Sequence, residues 1–125
     1  MNDELSEKLI GAPFRVHNEL GFGFFESVYE KALSIELKRL GIRHAVQRGV
    51  QVFYAGQIAG NFVCDMLVGN ALILELKSVK NLHASNEVQL VNYLQATRID
   101  VGLLLNFGPS KVEVKRKYRC KNSTQ

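Results

Sequence analysis

The sequence predicts an α/β (α+β) fold, a mixed central sheet flanked by helices, and three observations predict it. Residues 44 to 68 have strand texture and run through the turn Gly69-Asn70 into a further apolar strand. Residues 84 to 97 read as a helix that connects this strand to another apolar one, a crossover that makes the two strands parallel. The first 40 residues place apolar side chains at helical intervals. At 125 residues, with 46% hydrophobic and 22% charged, the chain is expected to be one domain, 1–125, with a core of two layers. It has no run near the roughly 20 apolar residues of a membrane span. Its acidic N-terminus, Met1-Asn2-Asp3-Glu4, differs from a basic signal peptide, so a cytoplasmic location is expected.

Leu5, Leu9, Ile10, Val16 and Leu20 mark helical structure over residues 4 to 20, interrupted at Pro13. Proline lacks an N–H and clashes with the preceding turn, so a kink or a new helix start is expected there. His17 reads as a partly buried packing residue. Gly21-Phe22-Gly23-Phe24 reads as a turn, because the lysine and hydroxyl of a nucleotide-binding loop are absent. The next helix is expected from Phe25 to Leu40, with Phe25, Val28, Tyr29, Ala32 and Leu33 on its apolar stripe and Gly41 as a left-handed cap. Glu26 falls in its first turn, where the helix dipole alone would favour an acid.

Val46, Val50, Val52 and Tyr54 belong to one extended segment, Ala55-Gly56-Gln57 to a turn, and Ile58 to Val68 to the returning strand. The run Asn70 to Val79 follows Gly69-Asn70 as a buried strand. In the helix over 84–97, Val91 and Leu94 are expected to face the core, while Asn86, Gln89 and Tyr93 share another stripe. Asp100 to Phe107 is a fully apolar central strand, and Gly108-Pro109-Ser110 turns into a last strand, Lys111 to Tyr118.

The formal net charge is +4, and the basic surplus lies in the tail over about 111–125, which holds six basic residues and one acid. Lys115, Arg116, Lys117 and Arg119 are therefore candidate nucleic-acid contacts, with a lysine-protected edge strand as the other reading. The two cysteines, Cys64 and Cys120, suggest no disulfide, and the three histidines have no metal-ligand spacing.

Charge inside the apolar strands is the unusual feature. Asp65 interrupts Phe62-Val63-Cys64-Asp65-Met66-Leu67-Val68, and Glu75 and Lys77, two residues apart, project from one face of their strand. Counted from the shared turn, Asp65 and Glu75 come close together. Two carboxylates beside an ammonium can hold a hard divalent ion and act on a phosphodiester. The residues alone leave open an ion pair of Lys77 with either acid at a sheet end.

Gly23-Phe24-Phe25-Glu26-Ser27-Val28-Tyr29 matches the GxxExxY signature, and Asp65, Glu75-Leu76-Lys77, Gln89-Leu90-Val91-Asn92-Tyr93-Leu94 and Gly102 to Gly108 follow in that family's order. From about Val16 to Gly108 the chain resembles the GxxExxY proteins, compact members of the PD-(D/E)XK nuclease superfamily. The resemblance implies a restriction-endonuclease-like core of order αβββαβ. It implies Asp65, Glu75 and the Leu76 carbonyl as ligands of Mg2+ (or Mn2+), Lys77 as the catalytic lysine and Glu26 as an auxiliary acid. Gln89 and Tyr93, with Tyr29 grouped beside them, would line the substrate side, although Tyr29 taken alone reads as core. Two departures stand out: Cys64 replaces the proline that names the superfamily, and Asn86 stands where a histidine is expected, with His83 offset by a turn.

The function expected is that of a metal-dependent nuclease hydrolysing phosphodiester bonds in DNA, with RNA as the other polymer. The alternative is a noncatalytic nucleic-acid-binding or assembly module that keeps the fold. A homodimer is also expected, since many minimal nucleases of this fold pair, and no membrane partner is.

Overall fold

Local signals in the sequence set most element boundaries of the computed structural model, which describes residues 2–120; the end of the basic tail, including Lys121, lies outside the described residues. Helix α1 spans Asn2–Leu9 and α2 spans Gly11–Leu20, so the break expected at Pro13 falls two to three residues earlier and proline sits in the first turn of α2. There its missing N–H costs no intrahelical bond. Helix α3, Glu26–Arg39, ends in a Schellman motif: the Gly41 N–H donates to the Lys38 carbonyl at 3.0 Å and the Ile42 N–H to the Leu37 carbonyl at 2.9 Å, with Gly41 at φ 70°.

Strands β1 (His44–Tyr54), β2 (Gln57–Val68) and β3 (Leu72–Lys77) form an antiparallel meander. Helix α4, Ala84–Thr97, crosses over to β4 (Val101–Phe107), parallel to β3, and β5 (Val112–Tyr118) closes the far edge antiparallel to β4. The sheet order is β1-β2-β3-β4-β5, the expected mixed arrangement. Among the described residues no helix is long and apolar enough to cross a membrane.

The core has three layers, not two. Leu72, Leu74 and Leu76 of β3 and Leu103, Leu105 and Phe107 of β4 pack with α1 to α3 on one face. Ile73 and Leu104 pack with Leu90, Tyr93 and Leu94 of α4 on the other. Strict alternation along two central strands divides their side chains between the two clusters, which is why both strands read as continuously apolar.

Two facing assignments shift. On α3 the buried stripe is Tyr29, Leu33 and Leu37, at intervals of four, which turns Phe25 (85% exposed) and Val28 outward. On α4 the buried residues are Leu90, Tyr93 and Leu94, while Val91 is half-buried above Lys117. Leu90 sets this rotation by packing onto Gly102 of β4: a Cβ at 102 would lie 2.8 Å from the Leu90 Cδ1 and 3.3 Å from the Ile73 carbonyl oxygen.

Gly102→Ala is therefore expected to destabilise the protein by about 1–3 kcal/mol through overpacking, whereas Gly11→Ala, with open space and helical backbone, should be neutral or stabilising. Urea denaturation of the two variants checks this.

Candidate active site

The site is a fork in the sheet. Ladder pairing between β2 and β3 runs from Val68–Leu72 to Met66–Leu74 and stops. At the next level, where Asp65 would pair with Glu75, the side chains replace the ladder: the Asp65 N–H donates to Glu75 Oε2 at 2.8 Å, and the Leu76 N–H donates to Asp65 Oδ2 at 2.7 Å. Each carboxylate thus takes a backbone donor of the opposite strand. Beyond this point β3 keeps only β4 as a partner, through Lys77–Asn106, and the rest of β2 pairs only with β1. Gln47, opposite Asp65 on β1, has a left-handed backbone (φ 52°), so the outer strand is also distorted at this level.

Each carboxylate keeps its second oxygen free of hydrogen bonds among the described residues, and neither of these oxygens is sealed from solvent. By alternation Glu75 and Lys77 share the face of Ile73, the face covered by α4. Lys77 is half-buried, with no ion-pair partner within bonding distance among the described residues. Glu26 lies exposed in the first turn of α3. Asp65 and Glu75 form a pair, and no group of three or more His, Cys, Asp or Glu side chains arranged to hold a metal occurs among the described residues.

Burial of the Glu75 carboxyl, only 5% exposed, and then the Asp65 charge push its pKa from an ordinary 4.5 up to about 8. The Asp65 amide and the Lys77 ammonium act in the opposite direction, and Glu26 adds a smaller upward push. Burial, then the same two carboxylates, raises the Cys64 thiol to about 11, so it is an inert core group. Tyr93 is raised as well, by burial first and then by Glu75, Cys64 and Asp65. That ordering places the Tyr93 phenol within the field of the acids, while Gln89, one turn earlier on α4, is exposed and lines a groove with it.

Tyr29 corrects the expectation of a substrate contact. It has no exposed surface and stacks on Phe107 with centroids 4.4 Å apart. Its hydroxyl donates to the Gly21 carbonyl and accepts from the Phe24 N–H at 3.4 Å. It therefore pins the loop that leads into Glu26, and burial leaves it no surface for a ligand. Ser78, the residue after β3, holds the same loop by donating its Oγ hydroxyl to the Phe24 carbonyl at 3.0 Å.

The basic strand also departs from expectation. Arg116 pairs with Glu7 at 3.4 Å, Lys117 with Glu87 at 3.0 Å and Arg119 with Asp100 at 2.9 Å, leaving Lys115 as the exposed member. Glu7 of α1, Glu87 of α4 and Asp100, just before β4, offset part of the charge of this segment.

Sequence reasoning gave no role to Asn106. Fully buried in β4, it accepts from the Val79 N–H at 2.9 Å and donates to the Val79 carbonyl at 2.9 Å and to Glu113 at 3.0 Å. It fixes the chain just after Lys77, and a lone amide in an apolar strand was the signal. Asn86 is used locally, accepting from the His83 N–H at 3.1 Å at the start of α4.

A family model described as the PD-(D/E)XK nuclease superfamily matches residues 3–117. Among solved structures, that of SSO0001 matches with a TM-score of 0.56 at 14% identity, covering 77% of this chain and 50% of that one, a likeness of fold. The chain thus spans half the length of that structure. No curated protein matches the chain.

Two predictions follow from the carboxyl pair and the tyrosine. Because the folded-state pKa of Glu75 is raised, the proton it binds stabilises the metal-free fold fully below about pH 4.5, and that contribution is lost as pH rises to about 8. In chelator at pH 8.5, Glu75→Gln should raise stability by on the order of a few kcal/mol, at about 1.4 kcal/mol per pKa unit, and at pH 4 it should not; thermal melts at the two pH values check this. Tyr29→Phe should cost about 1 kcal/mol and increase hydrogen exchange in residues 21–25.

Proposed function

Because this chain belongs to the PD-(D/E)XK nuclease superfamily, we propose that it is a single-domain, metal-dependent nuclease that hydrolyses phosphodiester bonds in DNA, with Mg2+ or Mn2+ as the cation. The observation that carries this reading is the interlock at the β2–β3 fork, which leaves one oxygen of Asp65 and one of Glu75 without a hydrogen bond among the described residues at the same level of the sheet. The donor chemistry suits the cation: the available ligands are carboxylate and carbonyl oxygens, preferred by hard divalent ions that retain waters. Asp65, Glu75 and the Leu76 carbonyl would hold it.

A bound divalent cation would supply a Lewis acid for a phosphoryl oxygen and a water of lowered pKa. Asp65 and Glu75 fix their own orientation through the amides they accept from, so little side-chain ordering remains to be done on binding. The Lys77 ammonium, in the field of Glu75, offsets negative charge that develops on the phosphate, and the chain is anchored two residues later by Asn106. Glu26 adds negative potential from the start of α3. Gln89 and Tyr93 present an amide and a phenol on the α4 side, where substrate approaches.

Incubation with labelled single-stranded, duplex and branched DNA and with RNA, in Mg2+ or Mn2+, tests the reading. Cleavage is expected to stop in chelator, to be abolished by Asp65→Asn and to fall about 10²–10³-fold in Lys77→Ala. No cleavage of any polymer, or cleavage that survives both substitutions, would overturn it and leave a noncatalytic binding module.

A further inference from the structure

Beyond Asp65 the β1–β2 hairpin extends past the rest of the sheet: between residues 57 and 64, β2 pairs with β1 alone. This arm stands over α4, and between them runs an open groove of about 910 Å³. Phe53, 58% exposed, and Phe62, 48% exposed, form one wall, and Gln89, Asn92 and Arg98 line the other. Val52 and Phe53 both line the groove, beside a register irregularity at which β2 carries one extra residue, Ala59. A second groove shares Phe53 and Phe62 and continues to Arg48 and to Cys64, the residue before Asp65.

The lining has a definite chemistry. Neither groove has an Asp or Glu among its described lining residues, although the acidic pair lies immediately beyond. The guanidinium groups of Arg48 and Arg98 have no hydrogen-bond or ion-pair partner among the described residues, unlike three of the four basic residues on and just after β5 that are expected from the sequence to contact nucleic acid. Open aromatic faces, side-chain amides and unneutralised arginines match a polyanion whose bases are unstacked. A duplex hides its base faces and would leave the two rings in water.

We propose that the groove between the β1–β2 arm and α4 is the track for a single-stranded polynucleotide, with bases stacked on Phe53 and Phe62, base edges at Gln89 and Asn92, and phosphates at Arg98 and Arg48. The track rests on the nuclease reading, since it delivers the strand past Tyr93 to the Asp65–Glu75 fork. It makes substrate selection a property of the arm and of the turn after α4, where Arg98 sits in a left-handed backbone (φ 61°).

Fluorescence anisotropy in chelator separates this claim from catalysis. The probes are labelled homopolymer oligonucleotides of about 12 residues, thymidine DNA and uridine RNA, against a duplex of equal length. Both single strands are expected to bind at least about ten-fold tighter than the duplex, and Phe53→Ala and Arg98→Glu each to weaken that binding about ten-fold or more, with melting temperature unchanged. Phe14→Ala, an exposed ring outside the groove, should leave binding as it is. Equal binding of single strand and duplex, or binding insensitive to both groove variants, overturns the track. So does a concentration-dependent dimer that Phe53→Ala dissolves, because a second copy would then occupy the groove. Single-strand binding without cleavage in Mg2+ or Mn2+ would instead defeat the nuclease reading and spare the track.

Discussion

The arrangement depends on one exchange of partners, in which two carboxylates take over two backbone amides where the β2–β3 ladder ends. A sheet edge opened in its interior leaves unpaired N–H groups, each costly to bury. Here the Asp65 and Leu76 amides are satisfied by the side chains that the open edge exposes. The acids therefore hold the fork open and are held by it. Removing either would leave a backbone donor unpaired as well as a charge missing, so structure and chemistry at this point are not separable.

Around the fork the chain is fastened from several directions by groups that do no chemistry. Asn106 ties the segment after β3 to β4 and through Glu113 to β5. Ser78 ties β3 to the loop before α3, and Tyr29 holds that loop from beneath while stacked on Phe107. His17 completes the set, its Nε2 within 2.7 Å of the Gly108 carbonyl and its ring against Phe107. Lys77 and Glu26, which belong to distant parts of the sequence, are thereby positioned by neighbours in the core. Functional groups placed on strand ends and helix starts gain precision from such supports.

The fold was legible because its signals are local and repetitive. The Gly69-Asn70 turn, both residues at positive φ, fixes the register that sets Asp65 against Glu75. Helix α4 falls on its expected residues, and the crossover it makes leaves little choice but parallel β3 and β4. What stayed hidden depends on neighbours distant in sequence. Phe25 reads as core because it is apolar, yet its backbone is extended and it turns outward. The charge of β5 reads as free because Glu7, Glu87 and Asp100, which neutralise it, lie on other elements. Tyr29 taken alone reads as core, and its burial against Phe107 with its hydroxyl on the Gly21 carbonyl bears that out over the substrate contact.

Glu75 also explains why an acid is tolerated in so apolar a strand. A carboxyl with a pKa near 8 is mostly neutral at physiological pH, so the metal-free fold buries a polar acid and not a full charge. Binding of a cation between the two acids would reverse that balance, because a divalent charge favours the ionised form and releases the proton. Affinity for the ion should then rise with pH over the range in which the fold alone loses stability. Under the proposed function the same residue would be a burden on the fold without the ion and a ligand with it. That trade is consistent with a site whose geometry is set in advance by backbone amides and whose charge is completed by what it binds.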